Sequence, residues 1–166
     1  MTQDTELQPV RVSANPMPSI RRISAADFAA AANQAELIEE YAAECAIDGM
    51  PPPQARMAMY RQLEASGAIS ALAGFEGEQI AGYVVVISTE LPHYGRMVST
   101  LESFFVGKAW RKTGLGLELL KRAEQIARDV GSPGLLVSAP AGGVLARVLP
   151  RAGYAHTNTV FFKRLE

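Results

Sequence analysis

The stretch IAGYVVVI, Ile80 to Ile87, restricts the fold of this chain more than any other. Side chains alternate between the two faces of a strand. Here both sets are largely apolar: Ile80, Val84 and Val86 on one face, Tyr83, Val85 and Ile87 on the other. A strand of that kind sits in the middle of a sheet covered on both sides. It is also far too short to span a bilayer. The 166 residues suffice for one domain with a substantial core and are too few for two of ordinary size.

The covering layers are readable on either side of this strand. SIRRI, from Ser19, is a short strand candidate, and Ser24 with Asp27 forms a capping-box pattern. Phe28, Ala31, Ala35, Ile38, Ala42 and Cys45 follow at spacings of three and four, which predicts one continuous helix face ended by DGMPPP. A second helix is expected from Gln54 to Ser66 with Gly67 as its cap. AISALAGFEGEQIAGYVVVIST reads as two strands about Gly77, ELPHYGRM as a loop and VSTLESFFVG as the next strand. A helix from about Leu115 to Val130, a short strand GLLVSA, a helix GGVLARVLPRAG and a closing strand NTVFFKRL complete the chain.

The expected order is β-α-α-β-β-β-α-β-α-β. This is a single α/β domain over residues 19–166, with a mixed sheet of about six strands flanked by helices on both faces. Residues 1–18 are polar, proline-bearing and aperiodic, and are expected to form a flexible tail.

Charge and cysteine content narrow the function. Sixteen basic and seventeen acidic side chains nearly cancel, so neither nucleic acid nor a membrane surface is expected as a partner. Cys45 is the single cysteine, which excludes an internal disulfide and favours a reducing compartment. Acidic residues near the start and no apolar run argue against a secretory signal, so a cytoplasmic location is expected. With His93 and His156 the only histidines, no metal site is expected.

The chemistry concentrates in FFVGKAWRKTGLG, Phe104 to Gly116, where an apolar strand passes through basic residues into two glycines and a helix. A helix start offers unpaired amides and the positive end of the dipole, and glycines there let a phosphate approach the backbone. The bland alternative is a glycine-tolerant helix start with no ligand. Gly114 and Gly116 are not followed by Lys, so this is no nucleotide P-loop, and Leu119 stands where a dinucleotide turn needs its third glycine.

Arg111-x-x-Gly114-x-Gly116 directly after a strand resembles the coenzyme A signature of the GNAT superfamily of acyl-CoA-dependent N-acyltransferases, and the element order of about residues 19 to 165 is similar as well. The resemblance implies acetyl-CoA as cosubstrate and an amine-bearing acceptor. Amides of Lys112, Thr113, Gly114, Leu115 and Gly116 would cradle the pyrophosphate, Arg111 and Lys112 would add charge, and main-chain groups around Phe104, Phe105 and Val106 would hold the pantetheine arm. Family members often carry a glutamate at the position of Glu102. Its apolar strand setting predicts a raised pKa suited to a general base, beside the alternative that it only positions the acceptor.

The ELPHYGRM loop would lie near the acceptor, with His93 a candidate catalytic residue and Tyr94 a candidate acceptor contact. The tyrosine that many members place four residues before a Gly-Tyr pair is Leu149 here, and an asparagine often seen near that helix start is Gly142. Tyr154 is then a candidate proton donor, beside its plainer reading as a core aromatic. Glu36, Glu40, Glu44 and Asp48 run four apart, either as a solvated face or as a surface drawing a cationic amine, with Glu44 a candidate substrate contact. The function expected is acetyl transfer to a primary amine by direct attack on the thioester. The competing reading is a non-catalytic module binding coenzyme A or a protein partner. The acceptor and the oligomeric state, a homodimer included, stay open.

Overall fold

The structure, a computed structural model, describes residues 16–165, so most of the expected 1–18 tail lies outside the described residues. Five strands, β1 (Ser19–Ile23), β2 (Ile69–Glu76), β3 (Gln79–Leu91), β4 (Arg96–Val106) and β5 (Leu135–Val137), form one sheet in that order. All neighbours are antiparallel except β4 and β5, which the helix α4 (Leu115–Asp129) connects in parallel. Helices α1 (Ala25–Ala30), α2 (Gln34–Cys45) and α3 (Met57–Ala65) cover one face, and α4 covers the other. The short α5 (Val144–Val148) leads into a 3-10 turn ending at Ala152.

The central strand is β3, buried on both sides. Val84 and Val86 pack under α4 with Leu115, Leu119 and Leu120, while Tyr83 and Val85 pack under α1–α3. Ile80 is on the α1–α3 side, opposite the face that strict alternation assigns it. The cause is a bulge: Gly74 pairs with Gly82 but Phe75 pairs with Ile80, which leaves Ala81 extra and reverses the alternation before it.

The expected single helix from Phe28 to Cys45 is two helices. The capping box forms at α1, with Ser24 N donating to Asp27 Oδ2 (2.8 Å) and Asp27 N to Ser24 Oγ (3.0 Å). The bonds that Ser24 N and Ser24 Oγ donate to its Oδ2 hold the Asp27 carboxyl below its ordinary pKa. After Ala30 the chain turns extended, and buried Asn33 donates Nδ2 to Ile80 O (3.0 Å) while its Oδ1 accepts from Ile80 N (2.9 Å). A helix running through this point could not aim Asn33 at the strand in this way.

The expected closing strand is also absent. Residues 155–165 make no strand pairing, and Val160, Phe161 and Leu165 are more than four-fifths exposed. NTVFFKRL has strand composition but lacks a neighbour, because β5 is only three residues long.

Candidate active site

Gly74 seats the start of α4. A Cβ there would stand 2.5 Å from Leu115 Cδ1, so only glycine lets fully buried Leu115 press onto β2. The turn before α4 runs from Gly107 through a 3-10 turn, Lys108–Trp110, to Gly114. Gly114 has φ +87° with open space on its Cβ side, and no side chain caps the helix. The intrahelical ladder begins with Glu118 N donating to Gly114 O, so the amides of Leu115, Gly116 and Leu117 precede it. Leu115 N has only a long contact of 3.4 Å to Thr113 Oγ1, whose own hydroxyl donates to Trp110 O. With exposed Lys112 beside it, this is an anion-accepting helix start.

Three carboxylates brace the turn from outside. Glu40 Oε2 accepts from Lys108 N (3.1 Å) and Glu76 Oε2 from Trp110 Nε1 (2.7 Å). Both oxygens of Glu44 lie within 2.8 Å of one Arg111 nitrogen. Part of the acidic line on α2 is therefore engaged with the turn. Arg111 also donates Nε to Val106 O (3.0 Å) and lies over the Phe105 ring.

β5 accompanies β4 only over Ser99, Thr100 and Leu101. From Ser103 to Val106, β4 keeps its pairing to β3 but has no strand on its other side. The parting coincides with a second bulge. Val85 pairs with Ser103 and Val86 with Leu101, so Glu102 is the extra residue. Counting back by twos from Phe104 and Val106, which face α4, would put Glu102 on that buried side. The bulge instead places Glu102 and Ser103 together on the α1–α3 side, where both line a cavity of about 590 Å³.

Glu102 is exposed to this cavity, contrary to the buried setting expected from its apolar strand. The Tyr60 hydroxyl of α3 donates to its Oε1 at 2.8 Å. Burial and the Glu102 carboxylate raise the Tyr60 pKa, so the phenol keeps its proton. Tyr41 of α2 is pushed up to about 12 by burial, with Cys45 and Glu102 adding to the effect, and burial raises Tyr83 as well. Burial likewise raises the Cys45 thiol.

The other expected site residues lie apart from Glu102. Five residue steps of about 3.4 Å separate the bulge from the Leu91–Arg96 pair, so the His93–Tyr94 loop stands roughly 17 Å away along the hairpin and lines no part of the cavity. His93 and Tyr94 lie against each other, 4.1 Å between centroids and tilted by 42°. Tyr154 packs against the α4 core and donates its hydroxyl to Glu124 (3.0 Å), away from the Glu102 face. Leu149 is buried in the same core. Tyr41, Tyr60 and Tyr83 also line the cavity, and their signal in the sequence is only an aromatic on an otherwise ordinary element.

The family model of the Acetyltransferase (GNAT) family matches residues 34–143. The chain belongs to that family, and its membership and fold define it as an acyltransferase. Among solved structures, a ribosomal-protein-alanine N-acetyltransferase from Brucella melitensis biovar Abortus 2308 is similar at TM-score 0.67 and 17% identity, covering 89% of this chain and 98% of that one. An aminoglycoside acetyltransferase from an uncultured soil metagenomic sample, in complex with trehalose, is similar at TM-score 0.68 and 15% identity, covering 89% and 96%. A predicted acetyltransferase from Clostridium acetobutylicum, solved with acetyl-CoA, is similar at TM-score 0.68 and 13% identity over the same shares. Comparison with curated protein sequences gives no match. No helix among the described residues is long and apolar enough to cross a membrane.

Proposed function

We propose that the protein transfers the acetyl group of acetyl-CoA to a primary amine, with Glu102 as the base that takes the ammonium proton. The observation that carries this reading is the β4 bulge, which sets a carboxylate in a cavity at the point where β4 and β5 part. The residues suit the cosubstrate. The open helix start at Gly114–Leu117 and Lys112 fit a pyrophosphate, and the unaccompanied edge of β4 from Ser103 to Val106 fits an extended amide-bearing arm. Acetyl-CoA, when bound, supplies an activated acyl carbon and a thiolate leaving group.

The protein's own work is on the acceptor. Tyr60 fixes one oxygen of Glu102 and leaves the other to meet the incoming ammonium, directly or through one water. Loss of that proton gives the neutral amine whose lone pair attacks. Main-chain amides on the unaccompanied edge of β4 would stabilise charge on the carbonyl oxygen.

Release of free thiol from acetyl-CoA in the presence of an amine panel tests the proposal, and silence across a broad panel overturns it. The second reading, a non-catalytic coenzyme A-binding module, draws support from Leu149, a buried core residue at the position where many family members carry a tyrosine. Tight acetyl-CoA binding without turnover on any amine would favour it.

A further inference from the structure

We infer that Ser103 is a further catalytic residue, whose hydroxyl hands a proton to the departing thiolate while taking the surplus proton from the acceptor nitrogen. This rests on the acetyl-transfer reading of the same site.

The bulge in β4 creates the opportunity. Strict alternation would set Glu102 and Ser103 on opposite faces of the strand. The extra residue sets both on the α1–α3 side, where both line the cavity. Ser103 is half-buried, and among the described residues no hydrogen bond engages its hydroxyl. An arm anchored by its pyrophosphate at Gly114–Leu117 and laid along the open edge of β4 would meet Val106 first and Ser103 last. Beyond that point β5 pairs with β4 from Leu101 back to Ser99 and closes the edge. The thioester end therefore stops beside Glu102 and Ser103.

The other hydroxyls around the cavity are committed or misplaced. Ser24 Oγ donates to Asp27 Oδ2 at 2.8 Å. Ser70 pairs with Val86 and shares its α4 face. Tyr60 donates to Glu102. Tyr83 pairs with Phe105, two positions nearer α4 than Ser103, and its ring packs on Phe28 at 5.0 Å. Tyr41 also lies at the level of Phe105, 5.8 Å between rings. On the other face, Tyr154 is held by Glu124, and Leu149 has no proton to give.

A serine hydroxyl offers one donor and two acceptor lone pairs, so it can pass a proton on without holding a charge. Glu102 takes the first proton from the ammonium and loses it to solvent. The lone pair of the neutral amine then forms the N–C bond, and the C–S bond breaks with its electron pair left on sulfur. In that step Ser103 Oγ gives its proton to sulfur and accepts the second proton from nitrogen. Amide and free thiol leave, and the serine is restored.

The test has a binding arm and a turnover arm on the whole protein, with circular dichroism verifying that each variant folds. In the first, coenzyme A and desulfo-coenzyme A, which lacks the sulfur, are titrated calorimetrically as pH rises. A hydroxyl donating to the thiolate lowers the pKa of the bound thiol. Between about pH 7 and 10, the affinity that coenzyme A gains over the desulfo analogue should be at least threefold larger in wild type than in Ser103→Ala. Glu102 and Tyr60 face the same spot in both proteins and cancel in this comparison. In the second arm, thiol release from acetyl-CoA is followed with the fastest of ethanolamine, benzylamine, spermidine and kanamycin. Ser103→Ala should lower kcat at least tenfold with the KM for acetyl-CoA changed less than twofold, and Ser103→Thr should recover at least a third of the wild-type rate. An alanine variant that keeps more than half of kcat, or that matches wild type in the pH-dependent gain, overturns the inference. If no amine reacts, the acetyl-transfer reading falls. A gain that depends on Ser103 would then still uphold its place at the sulfur, and one that does not would overturn it.

Discussion

Replacing Asn33 with alanine should unfold the protein far more readily than its place between two helices suggests. The side chain closes two hydrogen bonds, of 2.9 and 3.0 Å, on the N–H and C=O of Ile80, and Ile80 is fully buried. Alanine removes both partners and leaves two main-chain groups unpaired in the core, a loss of roughly 2–6 kcal/mol at about 1–3 kcal/mol per stranded group. For a chain of this size, at about 3 °C per kcal/mol, that lowers Tm by about 6–18 °C. Urea denaturation followed by circular dichroism measures it.

Asn33→Asp refines the test. Its carboxylate still accepts from Ile80 N but faces the Ile80 carbonyl with a negative charge, so its folded pKa should rise above the unfolded value of about 3.9. Relative to wild type, that variant should therefore be least impaired below pH 4 and lose stability as pH rises through the folded pKa. An alanine variant within about 0.5 kcal/mol of wild type, or an aspartate variant whose deficit does not change with pH, would refute the reasoning.

Glu102→Gln should lower kcat by about a hundredfold or more while leaving acetyl-CoA affinity nearly intact; a variant keeping over a third of the wild-type rate at neutral pH would make Glu102 structural. Gly116→Ala should raise Tm, because its Cβ meets only Val106 and Phe104 at ordinary contact distances of 3.5 and 3.7 Å, and the helix gains up to about 1 kcal/mol. Gly114→Val, by contrast, should reduce both acetyl-CoA affinity by calorimetry and stability by about 1–3 kcal/mol, since φ is +87° there. Glu44→Gln should free Arg111 and tighten acetyl-CoA binding about three- to fivefold, the equivalent of roughly 1 kcal/mol, with little change in Tm; unchanged or weaker affinity would mean that Arg111 does not meet the phosphates.

What the chain displays locally was readable in advance, and what depends on distant partners was not. The two-sided apolar run of β3, the capping box at Ser24 and the glycine turn before α4 are each written within a dozen residues. The break at Asn33 depends on a strand 47 residues away. No helical periodicity encodes it, because Ala31 and Ala35 continue the pattern across the break.

The same holds for both bulges. Alternation in β4 is a property of that strand, but where it slips is decided by pairing with β3. For this reason the sequence could nominate Glu102 while misjudging its burial, and could not show that Tyr60 would hold it. The expected closing strand failed on the partner side alone.

The Glu102 bulge also fixes which kind of mutation would erase the site. Substitutions in β4 change one side chain at a time and leave the others facing as they do. Deleting a single residue between Val98 and Leu101 would instead restore simple alternation and exchange the surroundings of Leu101 and Glu102, driving a carboxylate into the α4 core and a leucine into the cavity. Over evolutionary time this segment should accept amino-acid replacement far more readily than any change in its length. A relative with one residue fewer there would be expected to have lost or relocated its acid.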